Sequence, residues 1–315
     1  MNQIAGQEAF SEALRNKARK YPDRSDARYE GGMIFPEVTP GFHLSTGDSV
    51  FTIGSCFARN VEKALLARGL TVPTAHFTAP QEEAPGQPNR ILNQYNPGTM
   101  LQCVTALDRP VDGAGLYPAG KGEVLDCLLA TGSRPVAEAR AMERRGQIRD
   151  LYAEGLAQSD VVVVTLGLVE TWYDNETGTY LNEAPSRKLM NAHPGRFLFQ
   201  QLDIGQSQML IFEMLERLME KGRRKVLLTV SPVPIQVTFA GGDAVSRNAY
   251  SKSVLRVVAE LAIQSFKDVD YFPSYEIITT LGLNAYGEDN VHVRPAIVDR
   301  VIGYMTSRYL CEAEQ

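Results

Sequence analysis

The run SDVVVVTLG (159–167) places four valines in succession between a polar start and a glycine stop. A strand with one face in water alternates apolar and polar side chains; this run has no solvent face, so it reads as a central strand buried on both sides. Such strands belong to α/β folds, in which helices cover both faces of a mainly parallel sheet. KVLLTVSPVP (225–234) repeats the pattern, while 49–53, LTVP (70–73) and VDYFP (269–273) read as shorter strands. Amphipathic segments separate them. After the first strand, Phe57, Val61, Ala64 and Leu65 share one helical face and Gly69 marks a stop; Asn96 and Pro97 form an N-cap and first-turn pair for a helix over 97–107. Further helices are expected over 136–157, 207–222 and 247–266, and TWYDNETGTYL (171–181) alternates and turns like a hairpin. Residues 6–20 read as an amphipathic helix, 21–48 as an irregular arm, and 108–133 carries no clear pattern. The chain is expected to be a single domain over 1–315, with its core over 49–308.

Composition narrows the function classes. The 32 Lys and Arg against 37 Asp and Glu give a net charge of -5, so nothing favours nucleic acid or an anionic membrane surface. No apolar run approaches the roughly 18 residues that a membrane helix needs. The first residues lack a basic-then-apolar leader pattern, and a cytoplasmic location is expected. Cys56, Cys103, Cys127 and Cys311 are far apart and form no C-x-x-C, which argues against a zinc site or a disulfide framework. No metal and no cofactor is expected.

The chemistry-bearing residues follow the strands: Gly54-Ser55-Cys56 after the first, TLGLVETW (165–172) at the next long one, SPVP (231–234) after that, and GEDNVHV (287–293) after the last. In open α/β sheets, sites form at the carboxyl ends of strands. A strand turning into a helix at a glycine exposes the next side chains near the positive end of the helix dipole, where a nucleophile is activated. Ser55 and Cys56 both qualify. Asp289 and His292 stand on one short loop, so the carboxylate can hold one imidazole nitrogen while the other faces the nucleophile.

These stretches resemble the GSCFA family, whose five defining residues stand complete as Gly54, Ser55, Cys56, Phe57 and Ala58. Supporting matches are TLG (165–167), Asn191 and His193 in NAHP, SPV (231–233), Asn248, Ser251 and Lys252 in NAYSK, YFPSYEI (271–277), and Asp289 and His292 in DNVH. The family in turn resembles the SGNH (GDSL-type) hydrolase superfamily. That resemblance implies a flavodoxin-like three-layer α/β/α sandwich with a mainly parallel central sheet, a nucleophile after the first strand and an Asp-x-x-His motif near the C-terminus. Aligned without a gap on Gly-Asp-Ser, Cys56 takes the nucleophile position, with Ser55 as the alternative. A thiol at a helix N-terminus beside a histidine is expected to have a lowered pKa.

The implied oxyanion hole departs from the superfamily, whose Gly-x-Asn-Asp block corresponds here to Gly167, Leu168, Val169 and Glu170. The remaining candidate donors are the Cys56 and Gly167 amides with Asn96 or Gly98; Glu170 is read as binding substrate or making an internal hydrogen bond, and His193 as a substrate contact. Trp172 and Tyr173 either line a sugar or acyl pocket or simply pack. The implied function is ester or thioester chemistry through a Cys-His-Asp triad, as an esterase or an O-acyltransferase acting on a small-molecule or saccharide ester, with acyl-CoA as a co-substrate. The rival reading is a non-catalytic binding module on the same fold, and a metal-dependent phosphoesterase is more distant. Oligomeric state is not legible in the sequence.

Overall fold

The computed structural model describes residues 3–311. Strands Val50–Gly54, Val161–Leu166, Lys225–Val230 and Val269–Tyr271 form one parallel sheet, with the 269–271 strand at one edge and the 50–54 strand at the other. Every residue of Val161–Leu166 is buried. Because side chains alternate across a strand, Val162, Val164 and Leu166 enter one core and Val161 and Val163 the other. Helices Pro97–Thr105, Glu138–Gln158, Ile204–Met219 and Ala244–Ser265 cover the first face, through residues such as Met100, Tyr152, Met214 and Val258. Helices Cys56–Leu66, Ser274–Thr280 and Pro295–Tyr309 cover the second, through Phe57, Ile277 and Ile302. The chain is a three-layer α/β/α sandwich.

LTVP does not form a strand. Thr71 makes one parallel bridge to Ser49, Val50 N–H donates to Thr71 O at 2.8 Å, and the chain then enters a 3-10 turn at Pro73–His76. Proline has no N–H to continue a ladder, which stops the pairing there. With that bridge counted, the order is flavodoxin-like, its second strand reduced to one residue pair. The unpatterned 108–133 segment supplies Leu116–Gly120 and Glu123–Asp126, which join Val136–Ala137 in a separate antiparallel sheet. The hairpin at 171–181 is present as Glu170–Asp174 against Thr179–Leu181, and Phe197–Gln201 adds a third strand on its other side. In the arm, Met33, Phe35 and Leu44 are buried in the second core, so 33–44 is part of the packed domain. The first helix spans Gly6–Arg15, ends earlier than its periodicity suggests and buries no residue. Among the described residues no helix is long and apolar enough to cross a membrane.

The turn that leaves the first strand is set by Gly54. Its φ is +134°, and an added Cβ would stand 2.2 Å from Thr165 O on the neighbouring strand. Only glycine meets both conditions. Gly54→Ala is expected to destabilise the fold by about 3 kcal/mol, from backbone strain plus overpacking, as read by chemical denaturation.

Candidate functional site

The carboxyl ends of the sheet open into a cleft of about 880 Å³. Cys56 is the first residue of helix Cys56–Leu66 and lies half-buried in that cleft. Ser55 is buried, and its hydroxyl is committed twice: it donates to Ser231 Oγ at 2.9 Å and accepts from Phe57 N–H at 3.4 Å as the helix cap. Ser55, Cys56 and Ser231 all line the cleft; the two serine hydroxyls are bonded to each other, and Cys56 is the more exposed of the adjacent Ser55–Cys56 pair.

His292 lines the same cleft. Its Nδ1 lies 2.5 Å from Asp289 Oδ2, and Asp289 Oδ1 accepts the Val291 and His292 amides at 3.0 Å each. The hydrogen bond to His292 holds the Asp289 carboxyl down at about 2, so the carboxylate orients the ring over the whole neutral range. Gly287 N–H donates to His292 O, and Tyr286 Oη donates to Pro232 O at 3.0 Å, tying the histidine loop to the SPVP loop.

The NAYSK stretch on helix Ala244–Ser265 pins the other strand-end loops. Asn248 Oδ1 accepts Ile235 N–H at 3.0 Å, Ser251 Oγ accepts Val169 N–H at 3.0 Å, and Lys252 Nζ donates to Gly167 O at 2.8 Å. Gly167 is required by close approach, since a Cβ there would stand 2.5 Å from Tyr95 O. Glu170 makes internal hydrogen bonds: Thr238 Oγ1 donates to it at 2.5 Å and Phe239 N–H at 3.0 Å, which holds the 232–243 loop over the cleft. Trp172, Phe199 and Phe239 meet edge to face with centroids 5.2 to 5.4 Å apart across the Trp172 contacts and form an aromatic wall.

A model of the GSCFA family matches residues 49–304. The chain belongs to the GSCFA family. Among curated proteins none matches it. Of the five residues at the head of the GSCFA core, Gly54 makes the close turn, Ser55 caps, Cys56 faces the cleft, and Phe57 and Ala58 are buried beneath the helix.

Several expected site residues are placed elsewhere. Gly98 is covered by the Tyr180 ring, whose nearest atom would be 2.3 Å from an added Cβ, and it does not line the cleft. Asn96 does line it, and its side chain also serves the fold: Oδ1 accepts Thr99 N–H at 2.9 Å as the helix cap and one Nδ2 hydrogen is donated to Leu181 O at 3.2 Å. His193 is exposed at the end of helix Arg187–Ala192, outside the cleft lining. Tyr173 packs edge to face against Tyr180 at 4.9 Å. Among the described residues no cluster of His, Cys, Asp and Glu is arranged to hold a metal ion.

The thiol also differs from expectation. Burial pushes the Cys56 pKa up; the Lys252 charge pulls against that most, followed by the Cys56 and Phe57 amides and Arg59. The histidine does not supply the missing stabilisation, because its side chain is 69% exposed and no hydrogen bond joins it to Cys56 among the described residues. Lys252 was legible as a match but not as a site residue. Its signal was there: Lys252 stands three residues before Leu255 on the apolar face of its helix, a place where lysine is costly unless paired.

Burial holds the Cys103 thiol up at about 12 and pushes Cys127 further still. On a Cys311→Ser background, which removes the exposed thiol, iodoacetamide at pH 7.5 is expected to label Cys56 before Cys103 and Cys127, as read by peptide mass mapping.

Proposed function

We propose that the chain is an acyl-transfer enzyme in which the Cys56 sulfur takes an acyl group from an ester or thioester and passes it to an acceptor hydroxyl. The observation that carries this reading is the pairing, in one cleft, of a helix-N-terminal cysteine with a histidine whose Nδ1 is held by Asp289, so that Nε2 is left to handle protons. The Cys56 and Phe57 amides at the helix N-terminus favour negative charge on the sulfur, which supports a nucleophilic role for Cys56. The resemblance to SGNH hydrolases points the same way.

The cleft walls support a saccharide as the acceptor. Among the described residues, Asn93 Oδ1 and Glu183 Oε2 are buried acceptors without a hydrogen-bond partner, on residues that line the cleft. Unpaired acceptors call for a donor, which a sugar hydroxyl supplies, while Trp172, Phe199 and Phe239 offer the flat apolar surface that a sugar ring packs against. Water in the acceptor position gives an esterase, and acyl-CoA fits the donor role because its thioester and an acyl-Cys56 are close in energy.

The test is kinetic. Cys56→Ala and His292→Ala are each expected to lower turnover of aryl acetates, and of acetyl-CoA with saccharide acceptors, by at least about a hundredfold. The double variant should be no worse than the singles, since members of one catalytic unit are not additive. Equal turnover by wild type and His292→Ala on every donor, or none above buffer by wild type, overturns the enzyme reading; ligand affinity surviving His292→Ala would then mark a binding module.

A further inference from the structure

Among the described residues the buried cations are paired, with one exception. Arg59 meets Glu62 at 2.6 Å, Arg144 meets Glu83 at 3.0 Å, and Arg224 meets Glu220 at 2.6 Å. Lys252 is fully buried, its Nζ donates one hydrogen bond to the Gly167 carbonyl, and among the described residues no carboxylate pairs with it. An ammonium taken out of water without an anion is strongly disfavoured, so such a group points to a partner that carries its negative charge only in a working state. Gly167, which takes that hydrogen bond, lines the cleft with Cys56, and the two follow the paired positions Thr165 and Gly54 by two residues each, so Lys252 is anchored beside the strand end that carries the thiol.

We propose that Lys252 is the buried counter-charge of the Cys56 thiolate, positioned by the Gly167 carbonyl, and that the His292–Asp289 pair serves the leaving group and the acceptor hydroxyl instead of the thiol. This rests on the acyl-transfer reading of Cys56 and divides the labour within it.

The other charged and titratable neighbours leave the role to Lys252. Arg59, on the same helix as Cys56, is neutralised by Glu62, which also accepts from Thr52 and from Thr74 at 2.6 Å. Tyr95, from the loop before helix Pro97–Thr105, has its phenol pushed up by burial and by the Cys56 charge, so it stays neutral. His292 lines the cleft but is solvent-exposed and makes no hydrogen bond to Cys56 among the described residues. Burial disfavours both charges, bringing the Lys252 pKa down to about 7 and raising that of Cys56, so thiol with amine is the resting form; the ion pair, in which each charge offsets the burial of the other, is the reactive form.

Protons and electrons then balance as follows. The Sγ proton moves to Nζ, and the thiolate attacks the acyl carbon of a thioester. The donor sulfur leaves with the bonding electron pair and takes a proton from the His292 imidazolium. His292 Nε2 next removes the proton of the acceptor hydroxyl, whose oxygen attacks the acyl carbon. The carbon–Sγ bond breaks, and the sulfur returns as a thiolate beside the ammonium.

The experiment follows the rate of Cys56 alkylation by iodoacetamide against pH on the Cys311→Ser background. Lys252→Met, close in length, should raise the pH midpoint by about one unit and slow labelling at pH 7 by about tenfold. Ser251→Ala removes the neighbouring clamp on Val169 but keeps the charge, and should leave the midpoint in place; so should His292→Ala. A midpoint that follows His292, or that ignores Lys252, overturns the proposal while the kinetic test of acyl transfer stands apart. Absent turnover with a Lys252-dependent midpoint would instead remove the acyl-transfer reading and keep the ion pair. If Lys252→Met does not fold, an NMR titration of the Lys252 side chain in wild type and Cys56→Ala decides: the Lys252 midpoint should fall without the thiolate, and an unchanged midpoint overturns the pairing.

Discussion

The arrangement of the cleft depends on how closely the end of the first strand approaches Thr165. Ser55 N–H donates to Thr165 O at 3.3 Å, and Gly54 has no side chain to hold the two apart. That approach turns the chain so that the helix begins at Cys56, buries the Ser55 hydroxyl against Ser231, and leaves the next side chain facing the cleft. Two strands and one helix meet there through the backbone contact at Thr165 and the Ser55 cap. The place of the Cys56 thiol is therefore set by sheet geometry, with side-chain packing secondary.

One helix then holds two of the remaining strand ends. Asn248, Ser251 and Lys252 lie within about one turn and a half of the same helix, and each takes a backbone group from the 167–169 or 232–235 loops. The histidine loop is tied into the same assembly through Tyr286 and Pro232. Ser274 extends the scheme below the cleft, donating to Val230 O at 3.0 Å at the end of the third long strand. Motifs that look scattered along the chain thus act as fasteners on loops that would otherwise move independently, which suits a site whose groups come from four different connections.

What the sequence revealed follows from how local each signal is. The valine run could be placed because burial on both faces is written directly in its composition, and Asn96 with Pro97 could be placed because a cap is decided within one turn. The Asp289–His292 contact was legible for the same reason, with both residues on one loop. LTVP misled because its apolar content is that of a strand while Pro73 denies it a ladder. Phe197–Gln201 was missed because its pairing partner lies over twenty residues earlier. The hydrogen bond from Asn96 to Leu181 and the burial of Lys252 against Gly167 depend on long-range packing that no local pattern encodes.

Trp172 is the single tryptophan of the chain, and it stands in the cleft wall against Phe199 on the hairpin sheet and Phe239 on the loop held by Glu170. Indole emission responds to the polarity and rigidity of its immediate surroundings, and here those surroundings are the cleft itself. The molecule therefore carries its own optical probe: its tryptophan emission, excited beyond the absorption of the 13 tyrosines, is a readout of one loop and of whatever displaces water from beside it.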